Sequence, residues 1–273
     1  MSATAAAHWP EALAALRAQL GGVLVEMVDE VDSSNSALLR RARAGSLPPT
    51  LLIARRQSAA RGRMGRAWVA EPDGALTFSL ALPLVGRDWS GLSLAVGLAL
   101  AEALHPAIRI KWPNDLHIGT RKLAGILIET ASSGGGGESA PRCAVIGIGI
   151  NLRAPAAGSA AAAALAASGA QPAWLEDLLP GESAPAVLAR CAAPLTAAVR
   201  AFERAGFAPL LARYAARDAL AGRTLTCSDG TTGCACGVAP DGALRLRTPH
   251  GIAEIRSGAV SVRPAPATPP AQP

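Results

Sequence analysis

A glycine- and arginine-rich segment between two apolar, strand-like runs most constrains how this chain can fold. Residues 57–68 read Gln-Ser-Ala-Ala-Arg-Gly-Arg-Met-Gly-Arg-Ala-Trp, and they lie between the runs 50–55 and 75–82. Five arginines fall within residues 55–66, and no Asp or Glu occurs from residue 33 to residue 70. Guanidinium groups and the N–H groups of glycine-rich turns both bind phosphate oxygens. The pattern predicts a strand-anchored loop that binds an anion, although a solvated basic loop or a nucleic-acid contact would have the same composition.

The length and composition allow one large domain, or one large and one small domain. The chain has 273 residues, half of them apolar, so it can form a sizeable core. Its net charge of +6 favours anionic ligands or partners, but charge alone does not separate DNA from ATP. The first residues lack the basic and apolar regions of a secretory signal, and the apolar run 91–104 is too short for a membrane span. We therefore expect a cytoplasmic protein with no membrane partner.

The order of apolar runs and turn signals divides the chain into two parts. Residues 1–217 contain the longer strand-like and helical runs, interrupted at 154–170 by a segment of alanine, glycine and serine that we expect to be a flexible insertion. Residues 218–263 contain short strand-like runs separated by Asp-Gly turns, which predicts a small β-barrel. The proline-rich tail 264–273 is expected to be disordered.

Two further segments indicate where a ligand would approach. Asp32, Ser33 or Ser34 can cap a helix that runs to about residue 44, and a helix N-terminus also presents N–H groups and hydroxyls to a polar ligand. The strand-like run 142–151 contains two glycines that indicate a close approach of some group to its backbone.

Four segments in this order resemble the biotin protein ligases, the biotin–[acetyl-CoA-carboxylase] ligases. They are Asp32-Ser-Ser-Asn35, the loop 57–68, Lys111-Trp-Pro-Asn-Asp115 followed by Lys122-Leu-Ala-Gly-Ile-Leu-Ile-Glu129, and Gly147-Ile-Gly-Ile-Asn-Leu152. Each segment is a weak signal alone, whereas the ordered set is specific, and the resemblance covers about residues 23–263. The short N-terminal region resembles the monofunctional branch without a DNA-binding domain, so we expect no DNA partner.

The resemblance implies an α+β fold with a mixed β-sheet flanked by helices, followed by a small SH3-like β-barrel. Enzymes of this family use ATP and Mg²⁺ to join biotin to AMP. They then transfer biotin from biotinyl-5′-AMP to one lysine of a biotin carboxyl-carrier domain, here of acetyl-CoA carboxylase or a related carboxylase. The resemblance leaves open whether the protein is a homodimer.

Carried over residue by residue, the resemblance assigns the polar residues of these segments to two ligands. The biotin site would contain Ser33, Ser34, Asn35, Gln57, Arg61, Gly62, Arg63 and Lys122. The nucleotide site would contain Arg63, Arg66, Trp68, Asn114, Lys122, Asn151 and Arg263. The catalytic residues would be Lys122, Arg63 and Asp115, and Asp115 would also hold the metal. Ala60 stands where the family often has glycine, and it would restrict the loop if that position needs positive φ.

Other roles and functions stay open at this point. Lys122 is also typical of a strand edge, Asp115 of a turn, and Asn35 and Gln57 of caps and turns. A lipoate or octanoate protein ligase or transferase would share the fold and the acyl-transfer chemistry, although the arginine loop and the Lys-Trp-Pro-Asn-Asp segment favour biotin. A basic nucleic-acid-binding module would need basic and aromatic residues interleaved on one face, and aromatics make up only 3% of the chain.

Overall fold

The structure, a computed structural model, describes residues 9–45, 47–66, 68, 74–85, 88–132, 142–168, 171–256 and 262–264. Its helices are α1 (Trp9–Gln19), α2 (Ser34–Ala44), α3 (Leu92–Leu104), α4 (Ala160–Ser168), α5 (Ala184–Ala205) and α6 (Leu211–Ala215). The strands of the larger part are β1 (Leu24–Val31), β2 (Thr50–Gln57), β3 (Ala75–Leu84), β4 (Arg109–Lys111), β5 (Asp115–Ile118), β6 (Arg121–Ser132) and β7 (Arg142–Asn151). The later strands are β8 (Thr224–Cys227), β9 (Thr232–Val238), β10 (Leu244–Thr248), β11 (Gly251–Ile255) and β12 (Val262–Pro264).

A seven-stranded mixed sheet forms the centre of the larger part, in the order β1-β2-β3-β7-β6-β5-β4. β1 pairs parallel with β2, and the other neighbours pair antiparallel. Successive side chains of a strand point to opposite faces, so Val145 packs into the core under α2, whereas Ala144 and Ile146 join the larger core on the other face. This arrangement confirms the predicted mixed sheet flanked by helices.

Helix α3 lies inside the larger core. Ten of its thirteen residues are buried, because its sequence is apolar on every side. It contacts α5 on one side and strands β4, β5 and β6 on the other. Helix α3 therefore covers one face of the sheet, opposite the face on which α2 packs.

The C-terminal strands form a five-stranded antiparallel sheet in the order β11-β10-β9-β8-β12. Trp112 donates from Nε1 to the carbonyl oxygen of Gly242 at 3.0 Å, which joins this sheet to the turn after β4. Within the described residues β11 and β12 do not pair with each other. The closure of an SH3-like barrel and the domain boundaries at 217, 218 and 263 therefore stay predictions.

Two details differ from the sequence prediction. Part of the expected flexible insertion 154–170 is helix α4, since a run of alanines has a high helix propensity. The last described strand, Val262–Pro264, includes Pro264, the first residue of the tail that we expected to be disordered. The rest of the predicted disordered tail, residues 265–273, lies outside the described residues. No helix of the described residues combines the length and the hydropathy needed to cross a membrane.

Candidate active site

A cavity of about 680 Å³ opens on the α2 face of the large sheet, beyond the N-terminus of α2. Most of the residues predicted for the site line it: Ser33, Ser34, Asn35, Gln57, Arg61, Gly62, Arg63, Arg66, Trp68, Asn114, Asp115, Lys122 and Asn151. These residues come from five separate parts of the chain, and the sheet brings them together. The backbone of Arg263 lies in β12, paired with Thr226, and its neighbour Val262 lines the cavity. The side chain of Arg263 is not among the described groups, so its role stays a prediction.

Capping of α2 sets the position of the cavity floor. Ser33 has extended backbone angles, and its hydroxyl accepts a hydrogen bond from the backbone N–H of Ser36, so Ser33 is the N-cap among the three candidates. The first turn of the helix then places Ser34 and Asn35 against the sheet, where both are buried.

A chain of hydrogen bonds connects the polar residues of the floor. The amide oxygen of Gln57 accepts from the backbone N–H of Ser34 at 2.7 Å. The Ser34 hydroxyl lies 2.7 Å from the Ser79 hydroxyl, which donates to Oδ1 of Asn35 at 2.7 Å. Ser34, Ser79 and Asn35 are each less than 5% exposed. Buried polar groups with satisfied hydrogen bonds hold a fixed geometry, so this floor is preorganised.

The two glycines of β7 do have close neighbours, as the sequence predicted. Asn35 lies over the cross-strand row formed by Ser79, Gly147 and Leu127, and a Cβ on Gly147 would be 2.3 Å from Oδ1 of Asn35. Trp68 lies over the next row, and a Cβ on Gly149 would be 2.6 Å from Cε2 of Trp68. A side chain at either position would displace the residue above it.

The charged centre of the cavity is an ion pair between Lys122 and Asp115. Lys122 Nζ lies 2.7 Å from Oδ1 of Asp115 and 5.5 Å from the ring centre of Trp68, within range of a cation–π contact. Asn151 donates from Nδ2 to the carbonyl oxygen of Lys122 at 3.2 Å. Asn151 therefore holds the backbone that carries the lysine.

The arginine loop forms the opposite wall. The backbone N–H of Gly62 donates to the carbonyl oxygen of Arg66 at 2.7 Å, which closes a short turn. Arg63 donates from Nη1 to Oδ1 of Asn114 at 3.0 Å, and partial burial lowers its pKa, although a guanidinium stays charged at neutral pH. Met64 has φ 57° and is the only described non-glycine residue with positive φ. Ala60 therefore has no backbone strain in place of glycine.

Several residues at the site were given no role from the sequence, among them Ser79, Leu165 and Glu129. Ser79 is part of the hydrogen-bonded floor, Leu165 of α4 lines the cavity, and Glu129 contacts both Asn35 and Arg61. Glu129 ends one of the motif segments, so its place in that segment was a usable signal. Ser79 and Leu165 carry no such signal, because their contacts depend on the sheet order and on α4.

A metal site made by the protein alone does not form in the described part of the chain. No group of three or more His, Cys, Asp or Glu residues there could hold a metal ion, and Asp115 is the one carboxylate among the cavity-lining residues. His117, two residues away on β5, does not line the cavity; burial and the charge of Lys111 lower its pKa to about 4. It is therefore neutral at pH 7.

Comparison with known proteins identifies the class of protein that this fold and cavity define. Residues 12–151 match the model of the biotin/lipoate A/B protein ligase family. The chain is 36% identical over 242 residues to the biotin–[acetyl-CoA-carboxylase] ligase of Paracoccus denitrificans, covering 82% of this chain and 95% of that protein. It is 33% identical over 262 residues to the bifunctional ligase/repressor BirA of Escherichia coli strain K12, covering 90% of this chain and 76% of that protein.

A solved structure gives the same result. The biotin protein ligase from Aquifex aeolicus in complex with biotin and ATP superimposes with a TM-score of 0.72 and 25% identity, covering 89% of this chain and 99% of that one. The chain therefore belongs to the biotin/lipoate A/B protein ligase family. The Paracoccus denitrificans and Aquifex aeolicus proteins are both named biotin ligases.

Proposed function

We infer that the protein is an ATP-dependent biotin protein ligase. It forms biotinyl-5′-AMP from biotin and ATP, and it transfers the biotinyl group to a lysine of a biotin carboxyl-carrier protein. The observation that carries this function is the single cavity in which a buried polar floor meets Lys122, Arg63 and Arg66. The names of the relatives and the biotin and ATP bound in the Aquifex aeolicus structure favour the same activity.

The biotin end of the ligand fits the buried floor. The hydroxyl of Ser34 and the amide groups of Asn35 and Gln57 supply donors and acceptors for a ureido ring, which has both N–H groups and a carbonyl. We assign these residues, with Ser33 and the nearby Arg61 and Gly62, to biotin binding.

The first step joins two anions. A carboxylate oxygen of biotin attacks the α-phosphorus of ATP, the bond from that phosphorus to the bridging oxygen breaks, and pyrophosphate leaves. Lys122 has three N–H donors, so it can keep its contact with Asp115 and still donate to the carboxylate and the phosphate. Arg63 and Arg66 supply further positive charge on the opposite wall, where it stabilises the transition state.

The nucleotide would lie toward Trp68, with Asn114, Asn151 and Arg263 around it. Trp68 offers a flat face next to Lys122, and its indole nitrogen has no hydrogen-bond partner among the described protein groups. The ring can lie this close to Gly149 only because the glycine has no side chain.

A magnesium ion at this site would take most of its ligands from the nucleotide and few from the protein. Mg²⁺ in nucleotide enzymes takes one or two carboxylates, with phosphate oxygens and water completing the shell. Asp115 is the residue that would hold it, and the ion would supply charge to the phosphates. The cavity supplies one such carboxylate, which is within the range that Mg²⁺ takes in nucleotide enzymes.

The second step is aminolysis of the mixed anhydride. The carrier lysine attacks the acyl carbon, the bond from that carbon to the phosphate oxygen breaks, and AMP leaves. Asp115 is the candidate to accept the amine proton, since its carboxylate is partly exposed in the cavity. Water would destroy the anhydride, so the arginine loop serves both to supply charge and to exclude solvent.

One experiment tests the function directly. The protein is incubated with biotin, MgATP and a biotin carboxyl-carrier domain, and the carrier is weighed by mass spectrometry. We expect a mass increase of one biotinyl group that requires ATP and is absent when lipoate or octanoate replaces biotin. An unmodified carrier in the presence of biotin, or a lipoyl adduct in its place, would contradict the assignment.

A further inference from the structure

Glu129 lies at the junction between the cavity floor and the arginine loop. Its carboxylate oxygen Oε2 accepts from Nδ2 of Asn35 at 3.0 Å and from Nη2 of Arg61 at 3.2 Å. Glu129 is not among the residues that line the cavity, and its side chain is 27% exposed. It can therefore act on a ligand only through the two residues that it holds.

The contact with Asn35 fixes which way its amide group points. Nδ2 of Asn35 donates to the carboxylate of Glu129 and to the carbonyl oxygen of Leu127 at 3.2 Å, while its Oδ1 accepts from Ser79. A flipped amide would place Oδ1 against a carboxylate and a carbonyl, which would repel it. Gly147 lies directly beneath, and a Cβ at that position would be 2.3 Å from Oδ1 of Asn35, so the amide packs directly on the backbone of β7. Of the three groups that these hydrogen bonds join to the Asn35 amide, Glu129 is the charged one.

The contact with Arg61 anchors the first half of the arginine loop. Nη2 of Arg61 also donates to the hydroxyl of Ser36 at 3.0 Å, so the guanidinium spans Glu129 of β6 and the first turn of α2. The side chain of Arg61 is 43% exposed, which shows that the anchor lies at the rim of the cavity. Hydrogen bonds thus run without a break from Arg61 through Glu129 and Asn35 to Ser79.

We propose that Glu129 is a positioning residue for biotin binding, because it orients the Asn35 amide and holds Arg61 of the loop against the floor. This inference rests on the proposed function, since it assigns the floor to biotin. Glu129 contacts neither reacting group, so its removal changes the affinity for biotin much more than the rate of the chemical step.

The test is Glu129→Gln, which keeps the shape of the side chain and replaces one acceptor by a donor. Donors from Asn35 and Arg61 converge on this group, so the glutamine amide must oppose at least one of them. We expect the KM for biotin in pyrophosphate exchange to rise about tenfold, with kcat within about twofold. A general loss of folded protein would instead lower kcat and leave KM unchanged.

Glu102→Gln is the matched control. Glu102 also forms a two-pronged ion pair with an arginine, Arg213, at similar exposure, but on α3 away from the cavity. We expect its KM and kcat to match those of the wild type.

Arg61→Ala provides a second variant that changes only the exposed end of the link. Its cost in biotin affinity should be smaller in the Glu129→Gln background than in the wild type, because the two residues act together. An unchanged KM in Glu129→Gln, or equal costs of Arg61→Ala in both backgrounds, would overturn the proposal. A wild-type protein that does not modify the carrier domain would instead overturn the proposed function, so the two failures are distinguishable.

Discussion

The floor of the cavity and the arginine loop differ in burial and in backbone conformation. The floor residues Ser34, Asn35 and Ser79 are buried and bonded to one another at 2.7 Å, over the row of strands that contains Gly147. The loop contains exposed residues such as Arg66, and Met64 adopts φ 57°, which is unfavourable for a residue with a side chain. One region has its geometry set before a ligand arrives, whereas the other has few buried contacts that would resist a change of position.

This difference agrees with separate roles for the floor and the loop in the proposed reaction. In the proposed reaction, a preorganised floor would bind the neutral ureido ring with little ordering cost. A positively charged, exposed loop can close on the nucleotide once both substrates are present, and so protect an anhydride from water.

Replacing Lys122 by alanine should abolish most adenylation, because this ammonium lies between the two regions and contacts both Asp115 and Trp68. Loss of a group that stabilises charge in the transition state costs about a hundredfold to a thousandfold in rate. The rate of pyrophosphate exchange measures this loss of adenylation. Arg121→Ala is the control, since Arg121 is the neighbouring cation on β6 and pairs with Asp177 outside the cavity. Unchanged exchange in Lys122→Ala would remove the lysine from the mechanism.

Acid should weaken the sheet that supports the floor through His117. Burial lowers the pKa of His117 to about 4 from 6.5, so the unfolded chain binds the proton first as pH falls. The stability is fully present above pH 6.5 and is lost between 6.5 and 4, by at most about 3 kcal/mol. Asp32, whose pKa the neighbouring Arg40 lowers to about 2, acts in a lower window.

Urea unfolding at pH 7 and pH 4.5 measures this loss. His117→Gln should show a smaller difference between the two pH values than the wild type. Equal differences in the two proteins would show that another group carries the acid sensitivity.

Substitutions at the two glycines of β7 test the floor and the loop separately, because each glycine lies beneath one of these regions. Gly147→Ala places a methyl group against Asn35, which its hydrogen bonds hold in place, whereas Gly149→Ala meets Trp68, which belongs to the loop segment. Overpacking costs about 1–3 kcal/mol where the neighbour cannot move, so the biotin affinity of Gly147→Ala should fall about tenfold to a hundredfold.

For Gly149→Ala we expect a smaller loss of affinity, about threefold to tenfold. This loss should affect the binding of ATP rather than that of biotin. Isothermal titration with each ligand gives both numbers. Gly21→Ala is the control, because nothing lies within 4 Å of its added Cβ and its φ is not positive. Equal losses of biotin affinity in the two β7 variants would contradict the view that the floor is rigid and the loop can change position.

Arg63→Gly should leave the first step measurable but let the intermediate escape. It removes the contact of the loop with Asn114 and leaves the floor intact. We expect release of biotinyl-5′-AMP into solution to rise about tenfold, the value of one charged hydrogen bond. Chromatography of the supernatant measures it, with Arg153→Gly in another exposed loop as the control. Retention like that of the wild type would contradict the role of this loop.

The sequence predicts the elements of this site better than their contacts. Strand 142–151, its two close-approach glycines and the serine cap of α2 follow from local patterns, and the structure has all three. The contact between Asn35 and Ser79 joins residues 44 positions apart. It exists because α2 packs on β3, and no local pattern encodes that packing. Leu165 reaches the cavity from a segment whose composition indicated only a flexible loop.

Hydrogen exchange with and without bound ligands tests the central claim most directly. The protein is measured free, with biotin, and with biotin plus a non-hydrolysable ATP analogue. We predict that amides of residues 58–66 gain protection chiefly when both ligands are present, while the first turn of α2 and β7 are already protected in the free protein. Loop amides that exchange at the same rate in all three states, or a floor that becomes protected only on binding, would contradict it.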